Sequence, residues 1–181
     1  SGVTYGGRGS TAVHKMWPLG SAWAATRYTG PEFLETISKL PLLHEPGTVW
    51  DYSLSIDVLG LIIEAVSGQP LATFLAERIT NPLGMVDTAF SVPESKAARY
   101  AGAFANDPVT GKPQSVLHAR TGKPLKFDCG GGCMAGTAGD YIRFSQMLLN
   151  GGVLEGKRIL GKHTVAYMTS NHLGPEIQNN V

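Results

Sequence analysis

The sequence predicts a helix-rich chain of mixed class, in which loops and short extended pieces connect amphipathic helices. Three observations carry that reading. Apolar residues recur at helical spacing within residues 31–40, 54–80 and 137–150. Twenty-three glycines stand at punctuation positions without a repeat period, which demands many tight turns and close backbone approaches. Residues 86–130 include Pro93, Pro108, Gly111, Pro113 and Pro124 and show no helical period, so extended pieces and loops are expected there.

Taken in order, the first thirty residues are rich in Gly and Ser and read as an irregular segment anchored by Trp17, Trp23 and Tyr28. Thr29-Gly30-Pro31-Glu32 marks a helix start, with Pro at the first helical position and an acid in the first turn. Phe33, Leu34 and Ile37 form its inward face until Pro41 closes it. His44-Glu45-Pro46-Gly47 is a turn. A helix follows from Leu54 or Ser55 to Ser67. Ile56, Leu59, Ile63 and Val66 lie at helical spacing and Val58, Leu61 and Ile62 fill other faces, so burial nearly all round is expected. Gly68 ends it and Pro70 opens the next, with Leu71, Phe74, Leu75 and Ile79 inward. Thr137 is an N-cap with Asp140 three residues on, and Tyr141, Phe144, Met147 and Leu148 make one face. Gly151-Gly152 stops that helix, a turn at residues 154–157 follows, and His163 to Ser170 form a last helix.

With 181 residues the chain is long enough for one domain with a real core. Fifteen basic against fourteen acidic side chains leave no electrostatic footprint for nucleic acid or an anionic membrane. The longest apolar stretch, residues 58–66, contains Glu64 and is far shorter than the roughly 20 residues that span a bilayer. No membrane span is expected. Cys129 and Cys133 read as two free thiols of an intracellular chain, with a local disulfide as the alternative that the intervening glycines permit. A zinc site would need two further ligands from histidines that are not paired at ligand spacing.

Tyr52 is the first candidate for chemistry. A phenol ordinarily titrates near ~10, so it serves as a base near neutrality only where its surroundings favour phenolate. A position between a Pro-Gly turn and a buried helix holds it rigidly. Local sequence alone favours an ordinary half-buried structural aromatic. No Gly-x-Ser-x-Gly elbow is present, which argues against an α/β-hydrolase. The run Gly130-Gly131-Gly132 lacks the following Lys of a phosphate loop. His118 and Asp128 read as lone surface polar residues.

The ordered set His44-Glu45-Pro46-Gly47, Trp50-Asp51-Tyr52-Ser53, Asp57-Val58-Leu59-Gly60, Ser67-Gly68-Gln69-Pro70 and Pro82-Leu83-Gly84-Met85 resembles the central block of the β-lactamase-related serine hydrolases. Ser1-Gly2-Val3-Thr4 resembles the end of a His-Thr-Ser-Gly segment of that family. Gly130 to Met134 with Gly136-Thr137-Ala138, Asp140-Tyr141 and Arg143-Phe144 resembles its later Gly-Gly helix block. The resemblance implies an α+β, β-lactamase/transpeptidase-like fold, of which this piece is mainly the helical region with loops and short strands. It implies that residues 1–181 are part of one catalytic domain. It gives Tyr52 the role of moving protons in an acyl-enzyme route, and makes Gly131 and Gly132 residues of the substrate cleft wall. The substrate would be a small carboxylic ester or an amide or lactam, and no metal or organic cofactor is implied.

Two departures bear on this. Leu54 stands where lactamase-like members often carry Asn, which favours the esterase-like members. No Ser in the chain is followed three residues later by Lys, although that spacing is what places a nucleophile and its amine on one helix face. The expectation is that both come from polypeptide outside these residues, with a non-catalytic binding module as the alternative. Helices deprived of the sheet they pack against would also need complementing segments or an oligomeric partner.

Overall fold

The computed structural model describes residues 1–102, 106, 107, 109–113 and 125–179. His118 lies outside these, as do Pro108 and Pro124. The chain runs through α1 (Ala12–Met16), α2 (Ser21–Ala25), α3 (Gly30–Ser38), β1 (Val49–Trp50), α4 (Ser55–Ser67), α5 (Leu71–Leu75), α6 (Ala138–Leu149), β2 (Val153–Leu154), β3 (Lys157–Arg158), α7 (Lys162–Met168) and β4 (Gln178–Asn179). β1 pairs in parallel with β4, Val49 opposite Gln178, and β2 pairs antiparallel with β3. Among the described residues no single helix is long and apolar enough to cross a membrane.

The local signals explain the helix ends. Thr29 caps α3 in a full capping box, its hydroxyl receiving the Glu32 N–H while Glu32 accepts from the Thr29 N–H at 2.8 Å. Two orphan donors are satisfied at once. Gly68 closes α4 at φ +69°, a left-handed conformation that costs glycine little. Leu154 and Lys157 flank a two-residue hairpin whose residues Glu155 and Gly156 both have positive φ, the geometry that matches strand twist.

Four expectations about the helices and the first thirty residues need correction. The first thirty residues hold two single-turn helices and a 3₁₀ turn at Gly6–Arg8, elements too short to write a period into sequence. In α3, Leu34 is exposed while Phe33 and Ile37 are buried. Helix α4 is not buried all round: Asp57, Gly60 and Leu61 face inward, whereas Ile56, Leu59, Ile62 and Val66 form an exposed apolar stripe. In α6, Tyr141 points outward and only Phe144, Met147 and Leu148 serve the core.

The larger core gathers Tyr5, Trp17, Phe33, Leu54, Leu61, Leu71 and Phe127, with Phe33 and Phe127 stacked at 5.2 Å. A smaller one joins Leu83, Met85 and Met147. Cys129 and Cys133 are bonded to each other, contrary to the free-thiol expectation, because Gly130-Gly131-Gly132 turn the loop until the two Cα atoms are 5.5 Å apart. Asp128 is no lone surface residue either: it accepts the Ala72 N–H at 2.9 Å, beside Glu64, which accepts that of Leu71 at 2.8 Å. Together they satisfy two free donors at the start of α5.

Candidate active site

The turn before β1 sets the direction of the chain. Gly47 has φ +86°, and the Thr48 hydroxyl donates to the Glu45 carbonyl at 2.7 Å. Beyond β1, Leu54 is wholly buried and locks the entry of α4 into the larger core. The Leu54 position therefore faces the core. Tyr52, two residues earlier, is 51 % exposed and stands between two clefts. One, of about 370 Å³, is lined by Val3, Trp50, Ser55 and Gly131 among others; the second, of about 440 Å³, by Arg8, Leu19, Trp23 and Gly132. Tyr5 and Tyr52 are common to both.

The three residues expected from sequence, Tyr52, Gly131 and Gly132, thus meet at one place. Tyr52 stacks on Tyr5 with ring centroids 5.6 Å apart and planes inclined by 30°. The Arg8 guanidinium lies 5.5 Å from the Tyr52 ring centre, within reach of a cation–π attraction. At the α4 entry three hydroxyls form a row, Ser1 to Ser55 at 2.6 Å and Ser55 to Ser53 at 2.7 Å.

The glycine run is shaped by α4. A Cβ on Gly130 would stand 2.4 Å from the Ile56 carbonyl oxygen, and one on Gly131 2.7 Å from both Asp57 Oδ2 and Ser21 Oγ. Gly60 answers on the helix side, its own Cβ position lying 3.4 Å from the Gly130 backbone. Backbone meets backbone there, which only glycine allows. Gly132 differs, since a Cβ there would meet nothing within 4 Å.

Behind the tyrosines lies a polar chain that the sequence reading did not assign. Asp57 is wholly buried and accepts the Ser21 hydroxyl at 2.7 Å and the Gly131 N–H at 2.9 Å. Ser21 Oγ is also 3.0 Å from the Tyr5 hydroxyl. Burial raises the Asp57 carboxyl above its ordinary range, and the bonds from Ser21 and Gly131 oppose that rise. Burial likewise raises the Tyr5 phenol, opposed by Ser21 and reinforced by Asp57 and Tyr52. The available signal was Asp57 itself, an acid in the first turn of a predominantly apolar helix.

Another cavity, of about 600 Å³, lies between α5 and α6 and is lined by Leu75, Ile79, Met85, Met134, Tyr141 and Phe144 among others, with no charged side chain. It offers no acid, base or nucleophile cluster, and a smaller cavity of about 220 Å³ has Asp87, Lys96 and Arg99 in its wall already committed to ion pairs with one another, so the tyrosine clefts are the candidate site.

The beta-lactamase family model matches residues 4–180. Protein Rv1367c of Mycobacterium tuberculosis is 33% identical over 180 residues, which are 97% of this chain and 43% of that protein. The lovastatin esterase of Penicillium rubens is 30% identical over 181 residues, covering 92% of this chain and 42% of the esterase. Among solved structures, EstCE1, a hydrolase with promiscuous acyltransferase activity, aligns with a TM-score of 0.71 and 25% identity over 96% of this chain and 48% of its own. The chain spans less than half the length of these three proteins.

Proposed function

Since the chain belongs to the beta-lactamase family and has its α+β, β-lactamase/transpeptidase-like fold, we propose that the complete protein hydrolyses small carboxylic esters through an acyl-enzyme. A Ser hydroxyl from polypeptide outside these 181 residues attacks the ester carbonyl, and its proton passes to a Lys amine or to Tyr52. The same groups return the proton to the leaving alcohol, and water then releases the acyl group. Gly131 and Gly132 form the wall against which the acyl portion lies.

The observation that carries this reading is the placement of Tyr52. It is half exposed, fixed between a turn and a buried helix start, and shared by the two clefts. Leu54 supports ester over lactam, because it turns into the core and leaves the cleft without an amide at that position. The esterase and acyltransferase names among the relatives point the same way.

The test uses the full-length protein and a p-nitrophenyl ester. Tyr52→Phe removes one exposed hydroxyl and keeps the stacked ring, so turnover falls by roughly 10² to 10⁴ while the melting temperature stays put. Unchanged turnover would remove Tyr52 from the mechanism. Absence of labelling by a serine-directed covalent probe would favour a non-catalytic module.

A further inference from the structure

We infer that Asp57 is a positioning residue for the reaction, acting through Ser21 and Tyr5 on one side and through the Gly131 amide on the other. The inference rests on the reading of Tyr52 given above.

The direction of the hydrogen bonds carries it. A serine hydroxyl has a single proton. Asp57 Oδ2, 2.7 Å away, takes that proton, so Ser21 meets Tyr5 only as an acceptor, and the Tyr5 O–H donates inward at 3.0 Å. Tyr5 is thereby held as a neutral phenol with its proton turned away from the cleft. Its ring is fixed as the platform on which Tyr52 stacks. Of two adjacent phenols, one is committed to the interior and the other is left to exchange protons with a reactant.

The second arm of Asp57 is equally directed. Oδ1 accepts the Gly131 N–H, which sets the peptide plane of the glycine wall beside Tyr52. One buried carboxylate therefore aligns the floor and the wall of the cleft without touching either reacting group. Thr4, also wholly buried, donates to the Asp51 carboxylate at 3.3 Å, so the residues just before Tyr5 and Tyr52 are linked to each other independently of Asp57. The relay sets only the orientation of the ring and hydroxyl.

The test compares Ser21→Ala, Tyr5→Phe and Ser21→Thr with the wild type in the full-length protein, with active sites counted by a serine-directed probe. Ser21→Ala cuts the relay and leaves the Asp57–Gly131 bond. Turnover per titrated site should fall about tenfold, the order expected from one lost directed hydrogen bond to a positioned group, with KM changed less than about twofold. Tyr5→Phe should fall similarly, and Ser21→Thr, which keeps the hydroxyl, should restore most of the loss. A purely structural role would lower the melting temperature and the number of active sites but leave turnover per site intact, and that result in both Ser21→Ala and Tyr5→Phe would overturn the relay. If Ser21→Ala does not fold, Tyr5→Phe decides alone, since it retains the stacked ring. Full turnover in Tyr52→Phe would instead overturn the underlying reading, and with it the relay.

Discussion

Two helices of this protein bury an aspartate in the same manner, and they differ in what lies beyond it. On α4, Asp57 accepts one hydroxyl, from Ser21, and one backbone N–H, from Gly131. On α6, Asp140 accepts one hydroxyl, from Thr88 at 2.8 Å, and one backbone N–H, from Asp87 at 2.8 Å. Both acids pin a loop to a helix through charge-assisted bonds. In the α6 region the pinned loop is secured further by ion pairs, Asp87 with Lys96 at 2.6 Å and with Arg99 at 2.7 Å, and by the Arg143 guanidinium, which donates to the Leu83 carbonyl and pairs with Glu155. In the α4 region the pinned loop lines the clefts that share Tyr52, whereas the loop pinned by Asp140 borders a smaller cavity, of about 220 Å³, whose charged side chains are the ones already ion-paired. The same device is structural in one place and, by our inference, directs chemistry in the other.

The comparison can be broken in three ways. The largest effect belongs to Gly131→Ala, whose methyl group would occupy space held by both Asp57 and Ser21. It should cost about 3 kcal/mol of stability by overpacking and abolish turnover, whereas Gly132→Ala should leave the melting temperature unchanged and raise KM selectively for bulky acyl groups. Equal thermal shifts in the two variants would show that the run is not pinned as described. Next come Asp57→Ala and Asp140→Ala. Each strands two donors, at about 2 kcal/mol, yet only Asp57→Ala should reduce turnover per titrated site; a loss of equal size in Asp140→Ala would erase the distinction.

The smallest effect is in the pH dependence of folding, where the two regions have opposite signs. The Asp57 carboxyl is raised by burial, so the native state binds its proton more tightly than the unfolded chain does. Its contribution is fully favourable below the ordinary value of 3.8 and declines as pH rises through the raised value. Asp87, beside Arg99 and Lys96, is lowered to about 2. Its contribution is present above 3.8 and is lost as pH falls towards about 2. Melting curves of Asp57→Asn and Asp87→Asn against the wild type should therefore diverge in opposite directions: upward in pH the first variant gains on the wild type, and the second falls behind it. Parallel curves would contradict the assignments.

What the sequence made legible was local or ordered. The helix start within residues 29–32, the Thr137 cap, the Gly68 stop and the Gly151-Gly152 stop depend on neighbours within a turn, and each is found there, although α3 begins at Gly30, one residue before Pro31, with Thr29 as its cap. The motif order around Tyr52 was legible because spacing survives where individual residues change. Burial was less legible. A helix with apolar residues on every face, such as α4, does not say which of its faces the rest of the chain covers, and Ile56, Leu59, Ile62 and Val66 are left exposed. The single-turn helices α1 and α2 are too short for periodicity to detect. The Asp57–Ser21–Tyr5 chain joins residues 36 and 16 positions apart, and nothing in a linear pattern reports such a pairing except an acid out of place.

The five-residue ring closed by Cys129 and Cys133 is too small to act as a fastener for the whole domain. Closing so short a loop removes only about 2 kcal/mol worth of freedom from the unfolded chain. Its weight falls on four successive peptide planes, which it keeps from swivelling. Thiol reducing agents should thus act on this protein as a softener of one wall, leaving its architecture standing while, on the function proposed above, the grip on the acyl part of a reactant loosens.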